Sequence, residues 1–307
     1  MERPVADPLK RADSSVVRPA STTLPWRHSR KARARMVYIA SYAVIVLGAI
    51  IVFFPLYWQI STSLKAPQDL FRWPPLWVPI PPHPENYLEV ANVVPLLQYI
   101  WNSVLICGFV ILGTLLSCSL AAYGFARLRF PGRDVIFLIL ISPMILPGAV
   151  TLVAQFVMFQ KLGWYNTYLP LIVPAYFGDA FFIFLLRQFF LGIPLELEDA
   201  ARIDGAGFFG TYWRIILPLA TPALATVAIF RFMWTWNDFF GPLVYLSDTR
   251  KFTLPLGLAF FQGSPHSTVQ MHLLMAMAVI IVIPCALVYF FAQRLFIQGI
   301  VFTGVKG

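Results

Sequence analysis

Two ionisable side chains, Asp179 and Arg231, stand well inside long apolar stretches of this chain. A charge at membrane depth is costly, so each is a functional candidate by default. At about 1.5 Å per residue, Asp179 lies ~16 Å from Phe190 at the end of its stretch, and Arg231 ~21 Å beyond Leu217 near the start of the next. The similar depths predict that the two pair with each other or face a pore together. A buried ion pair pinning two helices and a part in lining a solute path both fit. Gln155, Asn237 and Asp238 are further polar candidates for such a path, with Arg231 and Asp238, seven apart, on one helix face. Tyr176, Trp234 and Trp236 could stack on a ring face of a solute or serve as belt and packing residues. Catalysis finds no footing. His28, His83, His266 and His272 are scattered without nucleophile or metal spacing, and there is no Gly-x-Ser-x-Gly. Hence no catalytic residue, no metal site and no cofactor on this chain are expected.

The elements that must position these residues are membrane helices. With 59% hydrophobic and 12% charged residues in 307, and a mean hydropathy of +0.72, the chain is too apolar for a soluble globule. About 20 apolar residues cross the hydrocarbon core, and six stretches reach that length: roughly 36–60, 100–125, 135–159, 168–190, 217–244 and 273–296. The formal net charge is +9, and residues 1–35 hold nine Lys or Arg against three Asp or Glu, a surplus of six. A basic segment before the first span reads as cytoplasmic, and Arg127, Arg129 and Arg133 fall on the same side if the spans alternate. Six spans then place both termini in the cytoplasm. Topology accounts for the charge, so no nucleic-acid partner is expected. The tail is polar and rich in Pro, Ser and Thr, and is expected to be disordered to about residue 30. It lacks the features of a cleavable signal peptide. Cys107, Cys118 and Cys285 lie within predicted spans, where thiols behave as small hydrophobes.

The domain plan is a basic tail over 1–35 and a six-span membrane domain over 36–307. A long proline-rich excursion, about 61–99, separates the first two spans and ends in a short helix near Glu85–Val94. Asn102 is expected to cap the second span, with Trp101 at headgroup level. Pro143, Pro147 and Gly148, then Pro170 and Pro174, then Pro218 and Pro222 are tolerated only where neighbours or water satisfy the freed carbonyls. No internal repeat is visible.

Between the fourth and fifth spans lies a polar elbow within a connection over 191–214. Pro194 suits a helix's first turn, Glu196, Glu198 and Asp199 favour its positive end, and Gly205 is placed to stop it in a left-handed conformation. A helix of two to three turns results. Ala200 and Ala201 leave part of its surface nearly bare for a protein partner, and Phe208, Phe209, Tyr212 and Trp213 then lead towards the fifth span. An interfacial amphipathic connector would account for the same local pattern.

Asp199-Ala200-Ala201, then Asp204-Gly205-Ala206, then Ile215-Ile216-Leu217-Pro218 closely resemble the EAA loop of permease subunits of ATP-binding-cassette importers. The acid before the alanines is Asp rather than the usual Glu, although Glu198 stands beside it. The resemblance is to the carbohydrate-uptake branch, which includes the smaller permeases of maltose and glycerol-phosphate importers. Asn102-Ser103, Trp236-Asn237-Asp238-Phe239 with Gly241-Pro242-Leu243, Thr253-Leu254-Pro255-Leu256-Gly257-Leu258, Gln293-Arg294 and the closing Gly304-Val305-Lys306-Gly307 match it in order and spacing.

The resemblance implies an all-α membrane protein with six transmembrane helices, the type I importer permease fold and a cytoplasmic EAA coupling helix. It implies Glu198, Asp199, Ala200, Ala201, Asp204, Gly205 and Ala206 as the residues that dock on an ATPase. The partners implied are a homologous second permease, two copies of the cytoplasmic ATPase and an extracytoplasmic solute-binding protein. The loop at about 247–272 and the C-terminal tail are contact regions for the binding protein and the ATPase. The location implied is a bacterial or archaeal cytoplasmic membrane. This chain has no Gly-x-x-x-x-Gly-Lys-Ser/Thr loop, so ATP and Mg belong on the partner ATPase. A sugar or oligosaccharide is the expected cargo, with glycerol phosphate or a polyol derivative as the alternative. A secondary transporter or channel is the rival class, but it leaves the elbow without a task.

Overall fold

The computed structural model describes the backbone of residues 26–263 and 270–304, and side chains over 33–263, Ala149 apart, and 270–293. Most of the expected disordered tail, and Val305-Lys306-Gly307, lie outside the described residues. All described regular structure is helical. Four helices are long and apolar enough to cross a membrane, and the number reaches six if each of two bent pairs forms one span. The chain divides into two units, at Leu56 and Tyr57.

The first unit contributes most of α1, Trp26–Ser63, which begins ten residues before the expected first span. Within Arg33–Ser63 its most apolar 18-residue window has a mean hydropathy of 2.5, and it has no polar stripe there, the pattern of a membrane-spanning helix. The second unit starts with the last seven residues of α1, Tyr57 to Ser63. A helix end leaves carbonyls without partners, and Asn86 Nδ2 serves the last of α1, Ser63 O at 2.8 Å, together with Lys65 O just beyond the helix at 3.0 Å. Asn86 opens α2, Asn86–Val93, where a short helix was expected.

The central element is α3, Leu96–Arg127, which packs against α7 (Ala180–Leu191), α11 (Thr221–Trp236), α13 (Leu254–Gln262) and the turn at Val173–Phe177. It starts before residue 100, so Asn102 is not its cap. Asn102 lies inside the helix, buried, and donates to Arg250 O and Phe252 O at 2.9 Å each. Next to it, Ser103 Oγ accepts the N–H of Leu254 at 2.8 Å, satisfying an orphan donor at the start of α13. Thus the Asn-Ser pair of one segment and the Thr-Leu-Pro-Leu-Gly block of another are two halves of one joint. Gly257 completes it, since a Cβ there would overlap the Tyr99 ring.

The third, fourth and fifth expected spans are broken. The third consists of α4 (Arg133–Ile141), a 3₁₀ turn over Ser142–Ile145 and α5 (Gly148–Lys161). Its two arms, Arg133–Ile145 and Val150–Lys161, differ in direction by 103°. Pro143 and Pro147 supply no N–H and cannot carry a helix through the corner. The fourth runs from α6 (Leu169–Ile172) through the Val173–Phe177 turn and Gly178 into α7. The elbow helix α8, Glu196–Ile203, follows. Then come α9 (Phe208–Thr211), a π-helical turn at Tyr212–Ile216, α10 (Leu217–Leu219) and α11, with a 75° bend before Thr221. The expected single stretch 217–244 is therefore broken twice, at Ala220 and again at Asn237–Phe239 before α12 (Phe240–Tyr245). The final helix, α14, spans Met271–Gly304.

Two large apolar cores result, with a small third one of Ile106, Val110 and Ala175 between α3 and the Val173–Phe177 turn. One joins α3, α7 and α11 through Cys118, Phe182, Leu186, Phe190, Ile216 and Val227. The other joins the start of α3 to α2, α13 and α14 through Tyr99, Leu254, Leu273 and Met277. Replacing Gly257 with Ala should lower the melting temperature of the purified protein, at a cost of about 1–3 kcal/mol for overpacking. Gly124→Ala, on α3 with open space for its Cβ, should leave it unchanged or raise it. Equal effects from the two substitutions would count against the α3–α13 joint.

Candidate functional site

At the elbow, the spacing of Ala201, Gly205 and Ala206 makes a definite stop. Gly205 has φ +82°, Ala206 N donates to Ala201 O at 2.8 Å, and Gly205 N donates to Arg202 O at 3.0 Å. This pair of bonds is the Schellman motif, which needs a residue tolerant of positive φ at that position. Pro194 stands ahead of the helix rather than within its first turn, because Leu195 is the cap and Glu196 the first helical residue.

The helix has two chemically different faces. Asp199, Ala200, Asp204 and Gly205 are exposed, Ala206 is half-buried, and Ile203 is 87% exposed at the tip. Glu198 and Ala201 point the other way and are buried, so they are not part of the exposed face. Glu198 Oε1 lies 2.7 Å from Arg127 Nε, with both side chains almost wholly buried. The N–H is off the line to the oxygen, so the contact is an ion pair rather than an aligned hydrogen bond. Arg127 also donates through Nη2 to Phe190 O at 2.6 Å and Ile193 O at 2.5 Å. One guanidinium thus holds together the end of α3, the end of α7 and the root of α8. On the far side of the elbow, buried Tyr212 shares a hydrogen bond with Ser119 of α3 at 2.7 Å. In the sequence Arg127 counts towards topology, and its place in the last turn of a span, where cations suit orphan carbonyls, is the local signal for this further role.

The second cluster lies within the bundle. Gly178 has φ +90°, which breaks the chain before α7. Asp179 then caps α7, its Oδ1 accepting from Phe181 N at 3.0 Å, while Oδ2 lies 3.5 Å from Arg231 Nη1. The two deep charges are therefore brought together as an ion pair. Arg231 and Asp238 also line one cavity of about 250 Å³, with Trp234, Thr235 and Thr253. Asp238 Oδ1 accepts the Gly241 N–H at 3.0 Å.

The other expected path residues are placed differently. Trp236 is buried and donates to Ile281 O at 3.0 Å, fastening α11 to α14. Asn237 closes the end of α11 by donating to Met233 O at 2.8 Å. Tyr176 is part-exposed, with its ring so close to α3 that a Cβ on Gly113 would approach it to 2.6 Å. Gln155 is exposed on α5 and bonds Thr151 Oγ1 at 3.2 Å. Among the described residues no group of three or more His, Cys, Asp or Glu is arranged to hold a metal ion.

Residues 110–301 match the family model described as "Binding-protein-dependent transport system inner membrane component". The chain is 34% identical to a trehalose/maltose transport system permease protein of Thermococcus litoralis, over 85% of this chain and 94% of that one. It is 31% identical to an sn-glycerol-3-phosphate transport system permease protein of Brucella abortus, over 86% and 96%. In fold it is similar to a chain of a bacterial ABC transporter involved in import of the acidic polysaccharide alginate. There the TM-score is 0.76 at 22% identity, over 85% of this chain and 96% of that one.

Removing one member of a buried pair leaves an uncompensated charge, so Arg127→Gln or Glu198→Gln should each cost about 3–5 kcal/mol. The joint change Arg127→Met with Glu198→Leu should cost less than either alone. Thermal unfolding of the four proteins measures this, and a double variant as unstable as the sum of the singles would contradict it.

Proposed function

Since the chain belongs to the family of binding-protein-dependent transport system inner membrane components, we propose that α8 is its coupling helix, through which an ATPase drives the import of a sugar or oligosaccharide. Its exposed face, Asp199, Ala200, Ile203, Asp204 and Gly205, docks in a groove of a cytoplasmic ATPase subunit. Its buried root, Glu198 on Arg127, passes the movement to α3 and α7. The observation that carries this reading is the division of a two-turn helix between an exposed apolar tip and a buried ionic root. A helix that merely rested on the membrane surface would have no use for a charge fixed into the bundle.

On this reading a second permease completes the pore, two ATPase copies hold ATP and Mg, and a binding protein delivers the solute from outside. Both termini, with the basic residues of 1–35, lie in the cytoplasm. The Asp179–Arg231 pair and the cavity that Arg231 shares with Asp238 belong to the solute path. Discontinuous helices around polar residues are how transporters place binding groups at membrane depth. The sugar assignment draws on the trehalose/maltose relative; the glycerol-phosphate relative supports a second reading, a polyol phosphate as cargo.

Ile203→Asp puts a charge where the ATPase pocket is apolar, and at 87% exposure it leaves the permease's own packing intact. A substitution at a central anchor costs about 2 kcal/mol or more of binding. The expected result is normal insertion, weakened ATPase association and loss of ATP-dependent uptake in proteoliposomes. Unchanged ATPase association and uptake would remove α8 from the coupling role, and uptake driven by an ion gradient without ATP would favour the secondary transporter.

A further inference from the structure

The cavity beside the break in the fifth span has a chemistry that selects among solutes. Arg231 is its sole cation among the lining residues, and it is already opposed by Asp179 at 3.5 Å, with Asp238 on the cavity wall. Two buried polar atoms there have no hydrogen-bond partner, Arg231 Nε and Thr253 Oγ1. Orphaned buried groups of this kind are costly unless something fills the site and bonds to them.

We propose that this cavity is a subsite for one neutral, hydroxyl-rich ring of the transported solute and that it turns away anions. The proposal rests on the reading of the chain as an importer permease and deepens it by naming the solute class that this subunit itself accepts. Sugar hydroxyls both donate and accept, which suits this set of groups. The Arg231 N–H donates, the Asp238 carboxylate keeps lone pairs beyond the one taken by Gly241, and Thr235 and Thr253 can do either. Trp234 adds an apolar ring face, the usual complement of a pocket with few, well-placed polar groups. A phosphate ester or uronate entering the same space would lose its hydration and meet no uncompensated positive charge, because Asp179 and Asp238 already face Arg231. Burying an unpaired charge is among the most expensive events in a protein interior.

Cysteine protection in the complete transporter tests this without requiring transport. Thr235→Cys puts a thiol at a half-buried position of the cavity wall, and Leu171→Cys provides a second half-buried position in the same cavity should the first variant fail to assemble. The unsubstituted chain gives the background from Cys107, Cys118 and Cys285. Labelling by N-ethylmaleimide is timed alone and with arabinose, glucose, maltose, glycerol 3-phosphate or glucuronate. At least one neutral sugar should slow labelling about tenfold, a change of about 1.4 kcal/mol, while neither anion does so. Shielding by an anion, or none by any of the neutral sugars, would overturn the proposal. Sugar shielding in a transporter that shows no ATP-dependent uptake would instead keep the subsite and refute the importer reading.

Discussion

An arginine and a glutamate kept out of water at the root of α8 set the terms for everything around them. Taking two ions out of water costs several kcal/mol each, and their attraction offsets this only if the remaining hydrogen-bonding groups are also satisfied. Arg127 meets that condition by donating to Phe190 O and Ile193 O as well as facing Glu198. The last carbonyls of α7 need donors, the last turn of α3 favours a cation, and the first turn of α8 favours an anion. All three needs are met at one point. The elbow is therefore fastened at its root to the ends of α3 and α7.

Deeper in the bundle a different constraint acts. A proline or a glycine with positive φ frees backbone groups that the hydrocarbon cannot satisfy, so each break must be repaired by a polar side chain. Asp179 repairs the break at Gly178, Asn237 the end of α11, and Asp238 the start of α12. Two of these repairs meet at Arg231: Asp179 pairs with it, and Asp238 lines one small cavity beside it. Polarity at membrane depth thus follows first from keeping the helices intact, and the same groups are then available to a solute.

Much of the elbow was legible because its signals are local. The Asp-Gly-Ala spacing demands a left-handed stop, and Gly205 supplies it. The pairing of Asp179 with Arg231 was legible from depth alone, since two charges at one level in hydrocarbon have few alternatives. What escaped the sequence were the directions of side chains. Glu198 and Asp199 are adjacent acids that both suit a helix's first turn, and the position of Arg127, 71 residues before Glu198, decides which turns inward. Asn102 looked like a cap because Asn commonly is one; that it holds the carbonyls of Arg250 and Phe252 depends on a contact between segments about 150 residues apart. Trp236 could be read as a solute platform or as a packing residue, and its N–H donating to Ile281 O on α14 depends on a contact that local sequence does not show. Hydropathy also treats a bent pair of arms as one run, so the corners at Pro147 and Ala220 were hidden within apparently continuous stretches.

The central claim is that α8 moves as one body with the end of α3. Spin labels at Ile203→Cys and Arg129→Cys, both exposed, read this directly by pulsed electron resonance in the assembled transporter with and without ATP. The account predicts that this distance stays the same in both states, while the distance from Ile203→Cys to a label at Gln262→Cys, at the end of α13, changes as the permease switches. A distance between 203 and 129 that shifts with nucleotide would mean that the elbow swings on its own, and the buried pair would then not be the joint through which force is passed.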